Sequence, residues 1–161
     1  MLSLLFIAFG AFLLNTYELQ KNYSESKNID SPDPLVNDVL TRPKTSLYSD
    51  YSKDNFDKAL ASDSVLVLYF TSNWCSECTK QDTTNQEVFN EIGDQGLVFL
   101  KVHILDSETT SESDALAKKF DIVKENSYVV LDMKGAVAFK SMGSIEKETL
   151  KIKILEAGDT K

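Results

Sequence analysis

The chain has 161 residues, 42% hydrophobic and 26% charged, which suits one ordinary domain with a short appendage and excludes two large ones. Its 25 acidic residues outweigh 17 basic ones, a net charge of −8, so it repels phosphate backbones, and nucleic acid is set aside as a partner. The two cysteines cannot make a disulfide-dense scaffold, and with the single histidine, His103, they fall short of a four-ligand zinc site within one chain.

The first segment, Leu2 to Leu14 (LSLLFIAFGAFLL), is apolar apart from one serine. It has the length of a signal-peptide core and, with Asn15 to Tyr17, reaches a marginal membrane span. No small-x-small cleavage pattern follows the run. The preferred reading of 1–17 is therefore an uncleaved signal anchor, with a removed signal peptide as the alternative. A buried domain helix is disfavoured, because no amphipathic stripe is present. The expected location is a membrane-anchored domain outside the cytoplasm (periplasm, cell surface or lumen), or a secreted one if the segment is cleaved. Residues 18–44 are polar and hold all three prolines, Pro32, Pro34 and Pro43, the composition of a semi-extended tether.

From Thr45 to Lys161 the pattern is that of a folded domain. A helix is predicted over Asp54–Ala61, with Phe56, Ala59 and Leu60 on one face. Ser64–Thr71 (SVLVLYFT) is a continuous apolar run, the mark of a strand covered on both faces. A polar helix follows from about Cys75 to Gly93, then a second strand at Leu97–Leu105. The acidic stretch Asp106–Asp114 lacks calcium-loop spacing and reads as a solvated loop. A helix near Ser113–Phe120, a strand at Tyr128–Leu131, a turn at 132–135 and a strand at Ala136–Lys140 come next. The last element is a helix over 145–157. Strands alternating with helices predict an α/β layer structure with parallel strands and an antiparallel edge from the closing hairpin.

Both cysteines stand in one motif, Asn73-Trp74-Cys75-Ser76-Glu77-Cys78. Its position between a buried strand and a helix is where α/β proteins place their sites. The free amides and partial positive charge of a helix N-terminus favour a thiolate on Cys75. Cys78 lies one turn on and faces the same side, within reach of a mixed disulfide held on Cys75. A structural clip is disfavoured, since closing so small a loop yields little entropic stabilisation. Burial as two small apolar residues is disfavoured by the polar neighbours Ser76 and Glu77. A metal site bridging two chains stays open.

The segment Tyr69-Phe-Thr-Ser-Asn-Trp-Cys-Ser-Glu-Cys-Thr-Lys resembles the active-site segment of the thioredoxin superfamily, and the element order matches that fold over about Lys53–Ala157. The stretch Thr83–Ile92 is similar to thioredoxin-like domains of membrane-linked reductases of the DsbD type. The resemblance implies a three-layer α/β/α domain with a mixed four- to five-stranded sheet. It implies that Cys75 is the nucleophile and Cys78 the resolving cysteine, with Trp74, Ser76, Glu77, Asn126 and Ser127 meeting the substrate protein. Three departures stand out. Tyr69 occupies the place of a buried acid, and its phenol is a poor base at neutral pH. The loop pair Ser76-Glu77 differs from the family's Gly-Pro, so the strongly reducing potential is not carried over; Glu77 opposes a thiolate on Cys75 yet suits the helix N-terminus, and Tyr69 and Glu77 are the candidate tuners of thiol pKa. Asn126-Ser127 stands where the family has cis-proline and its follower; a cis bond before Asn126 would cost about 3–4 kcal/mol.

The resulting expectation is a thiol–disulfide oxidoreductase acting on protein thiols or disulfides, with no dissociable cofactor and no metal. A membrane electron donor is a candidate partner, and the membrane is met through residues 2–17. The alternatives are a catalytically weak thioredoxin-fold interaction module and a thiol metal-binding site.

Overall fold

The structure, a computed structural model, describes residues 43–159. The expected anchor at 1–17 and the tether up to residue 42 lie outside the described residues. Among the described residues no helix is long and apolar enough to cross a membrane.

The chain runs β1 (Leu47–Asp50), α1 (Lys53–Leu60), β2 (Val65–Thr71), α2 (Ser76–Ile92), β3 (Leu97–His103), α3 (Ser111–Lys119), β4 (Ser127–Leu131), β5 (Val137–Met142) and α4 (Lys147–Gly158). Each predicted element is present, with ends within two residues of those read from sequence. The addition is β1, a half-buried strand of four residues, too short to show a period. The strands form one mixed sheet in the order β1-β3-β2-β4-β5. β1, β3 and β2 are parallel. β4 is antiparallel to β2 and β5 to β4. The hairpin therefore does more than add an edge: β4 lies inside the sheet, and β5 forms one rim with β1 at the other.

The period-2 geometry of β2 explains the layers. Val65, Val67 and Tyr69 pack with Val88, Ile92, Leu150 and Ile154 of α2 and α4. Leu66, Leu68 and Phe70 pack on the other side with Phe56, Leu116 and Ala117 of α1 and α3. Both faces are covered, so the strand is apolar throughout, and all seven of its residues are buried. The helices start where the sequence supplies caps. Ser52 Oγ accepts from Asn55 N–H at the start of α1, and Thr110 and Ser113 form a reciprocal capping box on α3. In the β4–β5 turn, Asp132 Oδ1 accepts from the amides of Lys134 and Ala136, and Gly135 takes φ +79°, a conformation that suits glycine.

One consequence of this topology positions the site. β2 and β3 run parallel and end together at Thr71 and His103. The loops that follow them are neighbours at the same sheet edge, and α2 begins there.

Candidate functional site

β2 stops at Thr71 because Ser72-Asn73-Trp74 turns the chain toward α2. Cys75 is the N-cap of α2 in extended conformation, and its Sγ accepts the Cys78 N–H at 3.0 Å. Cys75 and Cys78 are joined by a disulfide with Cα atoms 5.2 Å apart. An amide aimed at the first sulfur, with the helix dipole behind it, favours negative charge on that sulfur once the bond is opened. Cys75 is 9% exposed and Cys78 1%. The expectation that polar neighbours keep both cysteines out of the interior is thus corrected. Ser76 and Glu77 face solvent, while α2 turns both sulfurs inward at i and i+3. Cys75 is the more exposed of the two cysteines.

Glu77 pairs with Lys80 at 2.7 Å, both side chains largely exposed. Its charge is screened by water and by that lysine, so it is a weak tuner of Cys75. Trp74 is 61% exposed, with its indole N–H donating to the Leu105 carbonyl at 3.0 Å.

Tyr69 is fully buried and its hydroxyl is shared between the Cys78 carbonyl at 3.1 Å and Asn126 Oδ1 at 3.2 Å. Burial, ahead of all other causes, pushes its phenol well above the ordinary tyrosine range. It is a donor that holds the motif helix, not a base. Asn126 in turn donates from Nδ2 to Ser144 Oγ at 3.0 Å. The bond before Asn126 is trans, as are all peptide bonds among the described residues, and Asn126 takes φ +54°. Asparagine tolerates that left-handed conformation better than most residues. The structure thus brings Tyr69, Cys78 and Asn126 into one chain of hydrogen bonds. Ser127 is fully buried, its hydroxyl has no partner, and it is paired with Phe70 and Met142 on either side; its side chain does not reach the surface that Trp74 presents.

Tyr69→Phe keeps the packing but leaves Asn126 Oδ1 and the Cys78 carbonyl short of a donor. A buried acceptor left unpaired costs about 1–3 kcal/mol. Urea unfolding is expected to show a lower midpoint by that amount with an unchanged slope; an unaltered midpoint would show that the shared hydroxyl holds nothing.

Two aspartates escaped the sequence reading. Asp106, assigned to a solvated loop, has a fully buried side chain. Its carboxylate accepts from Asn73 N–H at 2.7 Å, Glu108 N–H at 2.9 Å and His103 Nδ1 at 2.8 Å, and contacts Thr109 Oγ1 at 3.1 Å. Burial acts to raise its pKa, but these bonds outweigh burial and hold the carboxyl below its usual range. His103 is accordingly a partner in a structural network. The 104–107 loop also accepts from Ser72 Oγ at the Ile104 carbonyl and from Asn73 Nδ2 at Ser107 Oγ, 2.8 Å. Leu105 is bent to φ +58° and 58% exposed, so it stands beside Trp74 as a second apolar side chain at the rim. The other missed residue is Asp82 on α2. Its spacing of four from Cys78 was readable as a shared helix face. Among the described residues no group of three or more His, Cys, Asp or Glu is arranged to hold a metal ion.

The family model described as Thioredoxin matches residues 48–156. A protein named Thioredoxin from Geodia cydonium is 31% identical over 67 residues, which are 40% of this chain and 61% of that protein; the chain spans about three-fifths of that relative's length. Trxlp from Edwardsiella tarda EIB202 has a similar structure, with a TM-score of 0.57 at 18% identity over 67% of this chain and 98% of the other. Oxidised thioredoxin from Plasmodium falciparum gives 0.54 at 19% identity over 70% and 99%. Thioredoxin O2 from Arabidopsis thaliana gives 0.53 at 18% identity over 72% and 97%. At these identities the solved structures bear on the fold.

Proposed function

Because the chain belongs to the thioredoxin family and carries a Cys75–Cys78 pair at disulfide distance, we propose that it is an oxidoreductase exchanging disulfides with partner proteins. The carrying observation is the position of Cys75: N-cap of α2, its sulfur receiving the Cys78 amide, and the more exposed of the two cysteines. In the reducing direction the Cys75 thiolate attacks a partner disulfide and releases one partner thiolate. Cys78 then attacks Cys75, closing the internal bond and releasing the second. The partner gains two electrons and the domain loses them. Trp74 and Leu105 offer an apolar rim to the partner, and no dissociable cofactor takes part.

We place this domain at a membrane, outside the cytoplasm, with a membrane electron donor of the kind that serves DsbD-type reductases. The apolar run Leu2–Leu14 and the polar tether after it support that placement.

The test uses the full chain in detergent. It is expected to speed insulin reduction by dithiothreitol and to equilibrate with glutathione as a two-electron couple. A pair that never cycles overturns the oxidoreductase reading. Recovery of the chain in the alkaline-wash supernatant instead of the membrane pellet overturns the anchor.

A further inference from the structure

Cys78 lines a cavity of about 160 Å³ with Thr71, Thr79, Asp82, Lys101 and His103, and Tyr48 from β1 donates to the Asp82 carboxylate. Those neighbours are polar or charged, so the cavity offers little to an apolar partner. Apolar recognition falls to the rim formed by Trp74 and Leu105.

Leu105 is 58% exposed and takes φ +58°. Exposure alone needs no explanation, because single apolar side chains are common on surfaces. The backbone does need one. Among the described residues the non-glycine positions with positive φ are Leu105, Asp121 and Asn126. Aspartate and asparagine visit that region with help from their short polar side chains. Leucine has no such help, and a bulky side chain is strained there. Of the exposed large apolar residues described, Leu105 is the one with a left-handed backbone.

The strain persists because the flanking groups over-determine the chain path. The Ile104 N–H donates to the Thr71 carbonyl at 3.0 Å, and the Ile104 carbonyl accepts the Ser72 hydroxyl. The Leu105 carbonyl accepts the Trp74 indole N–H at 3.0 Å. The Asp106 N–H donates to Thr109 Oγ1 at 3.0 Å, and the Asp106 carboxylate holds the Asn73 amide at 2.7 Å. Glycine or asparagine would follow the same path with less strain. Leucine costs stability there, and what it adds is an apolar side chain on a backbone that docking need not order.

We propose, on the basis of the oxidoreductase reading, that Leu105 is a specificity-determining residue. It selects protein disulfides that carry an apolar side chain next to the half-cystine, over small hydrophilic disulfides. Trp74, 61% exposed, supplies the adjoining part of the surface. The contact governs which partner is held and leaves the sulfur chemistry to Cys75 and Cys78.

The test mixes the reduced full chain, in detergent, with two polar peptides. Each holds one internal disulfide, and they differ in carrying Leu or Ser beside both half-cystines. Peptide reduction is followed by acid quench and mass spectrometry. Wild type is expected to reduce the Leu peptide about tenfold faster, the effect of covering part of one leucine on each surface. Leu105→Ser should reduce both peptides at the Ser-peptide rate, while its reduction of oxidised glutathione stays within about twofold of wild type, because no apolar contact is lost there. Leu105→Met should keep the preference. Leu105→Gly and Leu105→Ala should lose it alike, yet thermal unfolding should place the Gly variant about 3 °C above the Ala variant, since glycine relieves the left-handed backbone. The proposal is overturned if wild type treats the two peptides alike, if Leu105→Ser keeps the preference, or if glutathione reduction slows as much as peptide reduction. A Gly variant no more stable than the Ala variant overturns it too, by removing the strain. A wild-type chain that reduces neither peptide overturns the oxidoreductase reading instead.

Discussion

Cys75→Ser is expected to lower disulfide turnover by at least about 10³-fold, equivalent to about 4 kcal/mol in the barrier. A serine hydroxyl at the α2 N-terminus receives the same amide and the same dipole as the thiol, yet stays protonated at neutral pH and forms no exchangeable bond to sulfur. Cys78→Ser should behave differently. Cys75 remains the more exposed of the two positions, so the first attack proceeds, but no second sulfur closes the internal bond. The partner then stays attached, visible on a non-reducing gel as an adduct that dithiothreitol releases. Burial makes this asymmetry a sharp test, because Cys78 is 1% exposed against 9% for Cys75. Adducts on Cys75→Ser and none on Cys78→Ser would reverse the roles of the two sulfurs.

Asp106→Ala is expected to cost about 3 kcal/mol, within the range for breaking a buried charged network by removing one partner. The Asn73 and Glu108 amides and His103 all lose their acceptor. For a domain of this size that shift lowers Tm by roughly 10 °C. The released segment is Asn73-Trp74, so the rate of first attack by Cys75 should fall along with stability. Asp106→Asn, which retains one acceptor oxygen, should fall between. The pH dependence has a definite sign. The folded carboxyl is held below its ordinary range, so the unfolded chain takes up the proton first as pH drops. The contribution is complete above the ordinary aspartate pKa and is lost as pH falls through the lower folded value. Chemical denaturation between pH 7 and pH 3 should therefore show a shallower decline for Asp106→Asn than for wild type. Equal slopes would mean that Asp106 carries no charge-dependent stability.

The contrast between Asp106 and Cys75 shows where sequence reading reaches its limit. Cys75 was legible because its signal is local: an apolar strand, a two-residue spacing and a helix start all lie within a dozen residues. Asp106 sits in a run, DSETTSESD, whose composition is that of a solvated loop. Its burial comes from β2 and β3 ending side by side, with residues 73 and 106 brought together across 33 positions of chain. Composition carries no trace of such a contact. The resemblance pointed to Asn126 as the residue standing where the family has its cis-proline. Its trans, left-handed backbone and its link to Tyr69 followed only from the packing of β4 against β2. Asp82 was within reach of a spacing argument, since four residues on a helix is one turn, but its neighbours from β1 and β3 were not.

By itself, then, the sequence determined the layers, the order of elements from α1 onward and the candidate redox pair. Those depend on apolar periodicity and on residues adjacent in the chain, which each segment carries independently of the others. Tertiary structure decided which cysteine is the more exposed, that the Asp106 carboxylate is buried, and which cavity Cys78 lines. Those properties arise where parallel strands deliver distant loops to one sheet edge, and there the exclusion of water turns ordinary polar side chains into a connected site.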